Sequence, residues 1–281
     1  MKPQKTGRKF PMAEKGKEHL PAVPVSLAIE NVDSHATMQK LSAASPEGLT
    51  PLSLDRISFV TAGSITYNVP TEDGLEPRQY LDAFVIHNHG YRQLYTGPYD
   101  PQNPSPPECV SWDGITGHGS PGGVCARCPF NVFGVDAQCK PYRWLYLLFP
   151  DEMLPTTLAL PRTSLSRRLH KGITSYVIGL AKGGKLKVKG GLWPWEVMTR
   201  IGLAKRERGV GMVATFEEGP PLSKAHKAVM AAYVESFKKA LTFPTLTSGG
   251  DPTETPPRVY GGAVPEHHNY GPEPDDEGFN F

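Results

Sequence analysis

The hydrophobic and polar pattern divides the chain into a strand-rich first half and a mixed second half. Residues 56–69 and 80–95 carry β-branched and aromatic residues in partly alternating runs broken by glycine, which is typical of strands joined by tight turns. The apolar run RWLYLLF, residues 143–149, predicts a buried strand. Residues 196–204 and 210–218 alternate again, so we predict that they form a hairpin across the charged sequence KRERG.

Two stretches with helical periodicity complete the pattern. Residues 223–241 carry an apolar stripe formed by Val229, Tyr233, Phe237 and Leu241. Residues 164–181 predict an earlier helix with Ser164 as its N-cap and Gly183 as its stop. Its apolar stripe consists of Leu165, Leu169, Ile173, Val177 and Leu180.

Strands, one helix and two further strands follow one another in the order of the OB-fold, whose helix lies between its third and fourth strands. We therefore expect a mainly β fold with helices (α+β), built as an OB-fold-like barrel with an inserted cysteine loop. The expected nucleic-acid-binding domain spans residues 51–242. Residues 1–50 are expected to form a flexible basic arm with one short strand near VPVSLAIE, and residues 243–281 a disordered acidic tail.

Charge is distributed unevenly although the formal net charge is only +2. Residues 151–210 contain twelve Lys or Arg against four Asp or Glu, and residues 251–281 contain seven acids against one Arg. A basic body with an acidic tail is less easily explained by scattered surface charge than either imbalance alone.

All four cysteines lie in one glycine-rich stretch, residues 109–139. Cys125 and Cys128 form a C-x-x-C pair, and Cys109 and Cys139 supply two further thiols. Four thiolates close a tetrahedral Zn²⁺ shell, so we predict one structural zinc ion per chain. The sequence contains neither a secretory stretch nor a run of eighteen apolar residues, so a cytoplasmic protein without membrane contact is expected, with its thiols reduced.

Other interpretations of the cysteines remain open at this point. The four thiols could instead form two disulfides, or could be unrelated free thiols. His118 could replace one of the four ligands, although a lone loop histidine more often has a solvent or supporting role. A redox C-x-x-C is disfavoured because no helix follows the motif in a βαβ unit.

Basic and aromatic residues are mixed on both sides of the cysteine stretch and again at 182–195. Proteins that bind single strands use cationic side chains to contact phosphates and flat rings to stack on bases. For the ring of Trp144, a core position in the apolar strand is favoured over this role, and for Tyr91 and Tyr95 the two roles are balanced. The candidate nucleic-acid-binding residues are Tyr91, Arg92, Tyr95, Arg143, Trp144, Lys182, Lys185, Lys187, Lys189, Trp193 and Trp195.

The C-terminal sequence PEPDDEGFNF ends in acids and aromatic rings. A terminal ring and carboxylate can enter a small apolar pocket with a basic rim, while the acids steer the approach. We predict that this tail recruits replication or recombination proteins. The residues concerned are Asp275, Asp276, Glu277, Phe279 and Phe281.

The stretch from CVSWDGITG through CARCPFNVFG to QCKPYRWLYLLFPDEMLPTTLALPRTSL resembles a family of phage-encoded, zinc-containing proteins with an OB-like core. The resemblance covers about residues 80 to 220, with the four cysteines at matching positions. It implies single-stranded DNA binding during phage replication, in the cytoplasm of the host cell. Acidic tails with a terminal Phe are also found in bacterial and phage single-strand-binding proteins.

The sequence bears on three classes of function. The expected function is a non-enzymatic, sequence-nonspecific single-stranded DNA-binding protein of replication or recombination. The alternative is a zinc-ribbon transcription or replication regulator that binds duplex DNA or polymerase, although no recognition helix stands out. A nuclease or primase is disfavoured because the carboxylates are isolated and His87-Asn88-His89 is expected at a strand end without a metal context. The isolated carboxylates are Asp55, Asp82, Asp113, Asp136 and Asp151.

Overall fold

The computed structural model describes residues 26–44, 48–59, 65–97, 105–132, 138–165, 172–185, 187–205 and 212–243. Within these ranges the fold is mixed α+β and mostly sheet, which confirms the predicted class. The α-helices are α1 (Ser34–Ala44), α2 (Ile173–Ala181) and α3 (Lys224–Ala240). The strands are β1 (Arg56–Phe59), β2 (Tyr67–Thr71), β3 (Gly74–Arg78), β4 (Tyr80–Leu94), β5 (Cys109–Ser111), β6 (Thr116–Gly119), β7 (Gly123–Val124), β8 (Cys139–Leu148), β9 (Thr156–Pro161), β10 (Val197–Lys205) and β11 (Met212–Pro221).

Strand β4 organises the sheet because it is fifteen residues long and has three partners. It pairs with β8 over most of its length, with β10 near its start and with β5 at its end. The order β10-β4-β8-β9 is antiparallel throughout, so these four strands form a Greek key in which the fourth strand returns beside the first. The hairpin of β10 and β11 confirms the prediction for residues 196–218.

The two faces of β8 enter different hydrophobic clusters because successive side chains of a strand point to opposite sides. Leu145 and Leu147 pack inside the curled sheet against residues of β9, β10 and α2. Tyr146 and Leu148 pack on the other side under α3. The apolar run 143–149 is therefore a strand buried on both faces, as its continuous hydrophobicity predicted.

The interior of the sheet is closed by side-chain hydrogen bonds as well as by strand pairing. The hydroxyl of Tyr67 in β2 donates to the Gly202 carbonyl of β10 over 3.0 Å. On the other flank, the Ser164 hydroxyl accepts from the Ala214 N–H of β11 over 2.9 Å. These two contacts connect the β1–β2–β9 side of the sheet to the β10–β11 hairpin.

Helix α3 covers the outer face of β4 and β8. The Ser223 hydroxyl accepts from the His226 N–H at its N-terminus, and Lys238 and Lys239 lie in its last turn, where cations favour the helix dipole. Tyr233 and Phe237 are buried, which confirms the stripe predicted for residues 223–241. Truncation of a buried Phe such as Phe237 to Ala costs about 3–5 kcal/mol.

Part of the expected N-terminal arm is structured. Residues 28–31 form a 3-10 helix, so the short strand expected near VPVSLAIE is wrong at these positions. Residues 34–44 form α1, whose Met38 is buried in the cluster beneath α3. The sequence missed α1 because only Met38 of the helix is buried, too little for a clear apolar stripe.

The helix expected over 164–181 is shorter than its periodicity suggested. Helix α2 begins after Gly172, and residues 162–164 form a separate 3-10 turn. The predicted N-cap is wrong because the Ser164 hydroxyl binds β11, 2.9 Å from the Ala214 nitrogen. The predicted stop is confirmed, since Gly183 adopts φ +101° just after the helix and donates to the Leu180 carbonyl.

Candidate functional site: the cysteine loop and the lysine connection

The cysteine loop, residues 109–139, brings all four thiols to one cavity at the end of β4. Cys109 in β5 and Cys139 in β8 both pair with Leu94, the last residue of β4. Cys125 and Cys128 belong to a short 3-10 turn, in which the Cys128 N–H donates to the Cys125 carbonyl. The strands therefore fix two thiols, and the C-x-x-C turn presents the other two.

Two features fix the shape of the loop: hydrogen bonds to its backbone N–H groups and a close approach at Gly117. Asp113 Oδ1 accepts from the N–H groups of Ile115 and Thr116, at 2.7 and 2.8 Å, which fixes the turn before β6. A Cβ on Gly117 would lie 2.9 Å from the Cys109 sulfur, so only glycine fits beside that thiol. The absence of a side chain at this position lets β6 approach the cavity closely.

Two groups donate hydrogen bonds to the thiols. The Gly122 N–H donates to the sulfur of Cys109, and the Arg92 guanidinium donates to the sulfur of Cys139. Burial raises the pKa of both thiols, and these hydrogen bonds act in the opposite direction. Arg92 also donates to Asn131 Oδ1, so its guanidinium binds two groups of the cysteine loop.

Each cysteine is a free thiol in this structure, so the disulfide alternative is not observed. In the ranges that the structure describes, no three His, Cys, Asp or Glu side chains form a group arranged to hold a metal ion. The thiols thus share a cavity without closing a coordination shell. His118 pairs with Val110 across β5 and β6 and does not line the cavity.

The rings near the cysteine loop are largely buried. Tyr91 and Trp144 are each 1% exposed and pack against Trp112, with Tyr91 to Trp144 centroids 5.5 Å apart. The Arg56 guanidinium lies 5.6 Å from the centroid of the Trp144 ring. Neither Tyr91 nor Trp144 offers a free face to a nucleotide. The core position favoured for Trp144 agrees with this burial, and of the two roles left open for Tyr91 the structure shows the core one.

The other candidate DNA-binding residues near the cysteine loop differ in exposure and in their contacts. Tyr95 follows β4 and is partly exposed. Arg143 is partly buried, and its guanidinium donates to Asn88 Oδ1 over 3.3 Å. Arg127 and Lys140 are exposed beside Cys128 and Cys139.

The lysine connection, residues 182–195, joins α2 to β10 through a series of turns. The Glu218 carboxylate accepts from the Lys185 N–H at 2.6 Å, and the Val188 N–H donates to the Gly183 carbonyl at 2.9 Å. Gly184 lies against the Glu218 carboxylate with φ +62°, a left-handed conformation that favours glycine. These contacts dock the connection on β11.

The polar side chains of the lysine connection point outward although its backbone is anchored. Trp193 is 65% exposed, whereas Trp195 is partly buried against the cluster beneath α3. The Trp193 N–H donates to Glu196 Oε2 at 2.7 Å, which fixes the start of the turn before β10. Exposed lysines in the connection are Lys182, Lys185, Lys187 and Lys189.

The cysteine loop and the lysine connection lie at opposite ends of β4. Lys185 contacts Glu218, which pairs through Thr199 with Ala83 near the start of β4. The cysteines flank Leu94, eleven residues later in the same strand. At about 3.3 Å per residue the two regions are separated by about 35 Å along the strand, so they do not form one continuous patch.

Three residues considered for catalysis, Asp82, His87 and His89, take part in contacts within the fold. Asp82 forms a two-bond ion pair with Arg200, with both N–O distances 2.8 Å. His87 and His89 lie inside β4 rather than at a strand end, and the ring of His89 contacts the Tyr146 hydroxyl. Burial lowers the pKa of His87 to about 4 and also lowers the pKa of His89.

Comparisons of the chain with protein-family models, with curated proteins and with solved structures found no match. Among the described residues, no helix is long and apolar enough to span a membrane. The acidic tail, with Asp275, Asp276, Glu277, Phe279 and Phe281, lies outside the described residues, as does Asp136.

Proposed function

We propose that this protein binds single-stranded DNA without sequence specificity and acts in DNA replication or recombination. The observation that carries this function is the lysine connection, where four exposed lysines lie within twelve residues of the 65% exposed ring of Trp193. Cations that contact phosphates together with a ring that stacks on a base are the two components of single-strand recognition.

An OB-fold-like barrel is the architecture proposed for this function. If β4, β8 and β9 are its first three strands, α2 follows the third strand, and β10 and β11 are the fourth and fifth. The return of β10 to β4 supports this correspondence. The cysteine loop would then join strands 1 and 2, and the basic segment 206–211 would join strands 4 and 5, the two loops that bind oligonucleotides in OB-folds.

We further propose that the cysteine loop binds one structural Zn²⁺ through Cys109, Cys125, Cys128 and Cys139. The donors have the chemistry that Zn²⁺ takes, because four thiols line one cavity and two hydrogen-bond donors contact their sulfurs, and the thiols would have to move closer together to complete the shell. The reducing cytoplasm of a host cell would preserve these thiols. Bound zinc would stabilise a loop that has few apolar side chains of its own, while this chain's residues supply the ligands and their support.

The DNA-binding function is tested by fluorescence anisotropy with a labelled single-stranded oligonucleotide. We expect the logarithm of the affinity to fall linearly with the logarithm of salt, at a slope of about −0.7 per phosphate contacted. Unlabelled single strands should compete well and duplex poorly. Equal competition by duplex would instead indicate the zinc-ribbon regulator, and no binding in dilute buffer would refute both functions.

The acidic tail is proposed to recruit replication or recombination proteins and to leave DNA binding to the folded body. Removal of the residues after Gly271 deletes Asp275, Asp276 and Glu277 together with the two final Phe residues. The truncated protein should bind single-stranded DNA as tightly as the full chain or more tightly, because negative charge is removed. A large loss of affinity would contradict the role assigned to the tail.

A further inference from the structure

We infer that a cavity between β8 and α2 is a binding site for a phosphate group, with Arg143 as its principal ligand. The cavity is lined by Arg143, Asn88 and Thr174 together with apolar side chains of α2, and its volume is about 130 Å³. A water-sized group requires about 10–15 Å³ by the same measure, so a tetrahedral oxyanion has room.

The charge of Arg143 is the first argument for an anionic ligand. Burial lowers the pKa of its guanidinium, which means that the cation has lost part of its hydration. In the described part of the chain, Arg143 forms no ion pair with a carboxylate, and its hydrogen bond to Asn88 Oδ1 is long at 3.3 Å. A partly desolvated guanidinium with unused donors is stabilised by an oxyanion that accepts two parallel hydrogen bonds.

The other polar lining groups suit the same ligand. The Thr174 hydroxyl and the Asn88 amide are neutral and can donate hydrogen bonds to phosphate oxygens. Ile173 and Thr174 open α2, so its first backbone N–H groups add partial positive charge near the cavity.

The apolar side of the cavity limits what the ligand can be. Ile173, Val177 and Ile178 line it together with the polar groups, so a compact group such as phosphate fits better than a long acidic side chain. Phosphate can come from a DNA strand or from a free phosphorylated molecule. If the phosphate belongs to a DNA strand, the site is part of the DNA-binding surface and the inference rests on the proposed function. If the phosphate belongs to a free molecule, the site is independent of DNA binding.

The test begins with inorganic phosphate and the full-length protein, with no DNA present. Amide chemical shifts are followed by nuclear magnetic resonance while phosphate is raised to 20 mM at constant ionic strength with chloride. We expect saturable shifts at the amides of Gly172 and Thr174. Shifts that remain linear, or that spread over the lysine connection equally, would overturn the site. This arm needs no variant and is independent of DNA binding.

Variants then assign the ligand residues. Arg143→Gln should weaken phosphate binding at least tenfold, because it removes a charge-assisted pair of hydrogen bonds, and Thr174→Val should weaken it less. The matched control is Lys140→Gln, which removes an exposed positive charge from the same strand and should leave the phosphate affinity unchanged. Equal effects of Arg143→Gln and Lys140→Gln would overturn the assignment. Thermal unfolding of each variant verifies that it is folded.

A final arm identifies the source of the phosphate. If an oligonucleotide shifts the same two amides and inorganic phosphate competes with it, the site receives a strand phosphate. If DNA binds without shifting them, the ligand is a free phosphorylated molecule. Failure of DNA binding with intact phosphate binding would refute the proposed function and leave the site standing. DNA binding with no amide shift on addition of inorganic phosphate would support the proposed function and refute the phosphate site.

Discussion

The cysteine loop and the lysine connection are both glycine-rich, and each lies beside basic and aromatic residues, yet the fold uses those residues in opposite ways. Near the cysteine loop, Tyr91 and Trp144 are buried and Arg92 contacts a thiol. In the lysine connection, the backbone is held by Glu218, and Trp193 and the lysines face solvent. Composition therefore indicates that rings and cations occur together, whereas strand position decides which of them a ligand can reach.

The largest expected effect separates the two regions by their dependence on metal. Cys125→Ser should reduce the zinc content from about one ion per chain to near zero and expose the amides of the cysteine loop to hydrogen exchange. Amides of the lysine connection should keep their protection, because Glu218 and not metal holds them. Metal analysis and hydrogen exchange measure both effects.

The matched control for this variant is Ala126→Ser, an exposed position between the two cysteines of the C-x-x-C turn. It should retain zinc and exchange protection. A wild-type protein that is purified without zinc, and whose cysteine loop is equally protected in chelator, would contradict the proposed metal site.

Two tryptophan substitutions should have opposite consequences. Trp144→Ala should lower the free energy of unfolding by about 3–5 kcal/mol, because it empties a fully buried site. Trp193→Ala should change it by less than about 0.5 kcal/mol but weaken single-stranded DNA binding by about 1–3 kcal/mol. Denaturant titration and anisotropy measure the two quantities. A destabilising Trp193→Ala that leaves DNA affinity intact would reverse the roles of the two rings.

Removal of charge from the lysine connection should reduce the salt dependence of DNA binding. Replacement of Lys182, Lys187 and Lys189 by Gln removes up to three phosphate contacts, so the magnitude of the salt slope should fall by about 2. The measurement is anisotropy at several salt concentrations. The control replaces three exposed lysines elsewhere, and an equal effect there would show that only total charge matters. The control positions are Lys40, Lys224 and Lys238.

The smallest expected effect concerns the strand that joins the two regions. His87 in β4 has a pKa of about 4 because of burial, with His89 and Lys238 as neighbouring positive groups. Its pKa in the unfolded chain is about 6.5, so the unfolded state binds more protons below that value, and stability falls as pH drops from 6.5 toward 4. Allowing for partial exposure, we expect a loss of about 1 kcal/mol between pH 7 and pH 5.

Denaturant titrations at the two pH values measure this loss, and His87→Gln should reduce it. An unchanged pH dependence in the variant would show that other groups are responsible. Because β4 carries both regions, this effect should weaken the whole body without selecting either end.

The sequence predicts those parts of the fold that follow from local periodicity. Sequence periodicity predicted three elements correctly, because the side chains that pack there recur at the spacing of the element: the apolar stripe of α3, the β10–β11 hairpin and the buried strand β8. The start of α2 could not be predicted from the sequence, because Ser164 accepts a hydrogen bond from Ala214, fifty residues away. Helix α1 was missed because its packing depends on α3, which is distant in the sequence.

The candidate site was predictable to a similar degree. The grouping of the four cysteines followed from their spacing, since a C-x-x-C pair between two further thiols requires little long-range information. The burial of Tyr91 could not be predicted from the sequence, because it is covered by Trp112, which follows β5, and by Trp144 of β8. The separation of the cysteine loop from the lysine connection depends on the register of β4 with β10, which no local pattern encodes.

Intrinsic tryptophan fluorescence tests the central claim most directly, because Trp193 is the one strongly exposed ring among the four tryptophans of the chain. Addition of a single-stranded oligonucleotide to the wild-type protein should quench the emission, as Trp193 stacks on a base. Trp193→Phe should retain binding by anisotropy and lose most of the quenching. Binding of single-stranded DNA with no quenching, or with equal quenching in Trp193→Phe, would contradict the claim that the lysine connection contacts the strand.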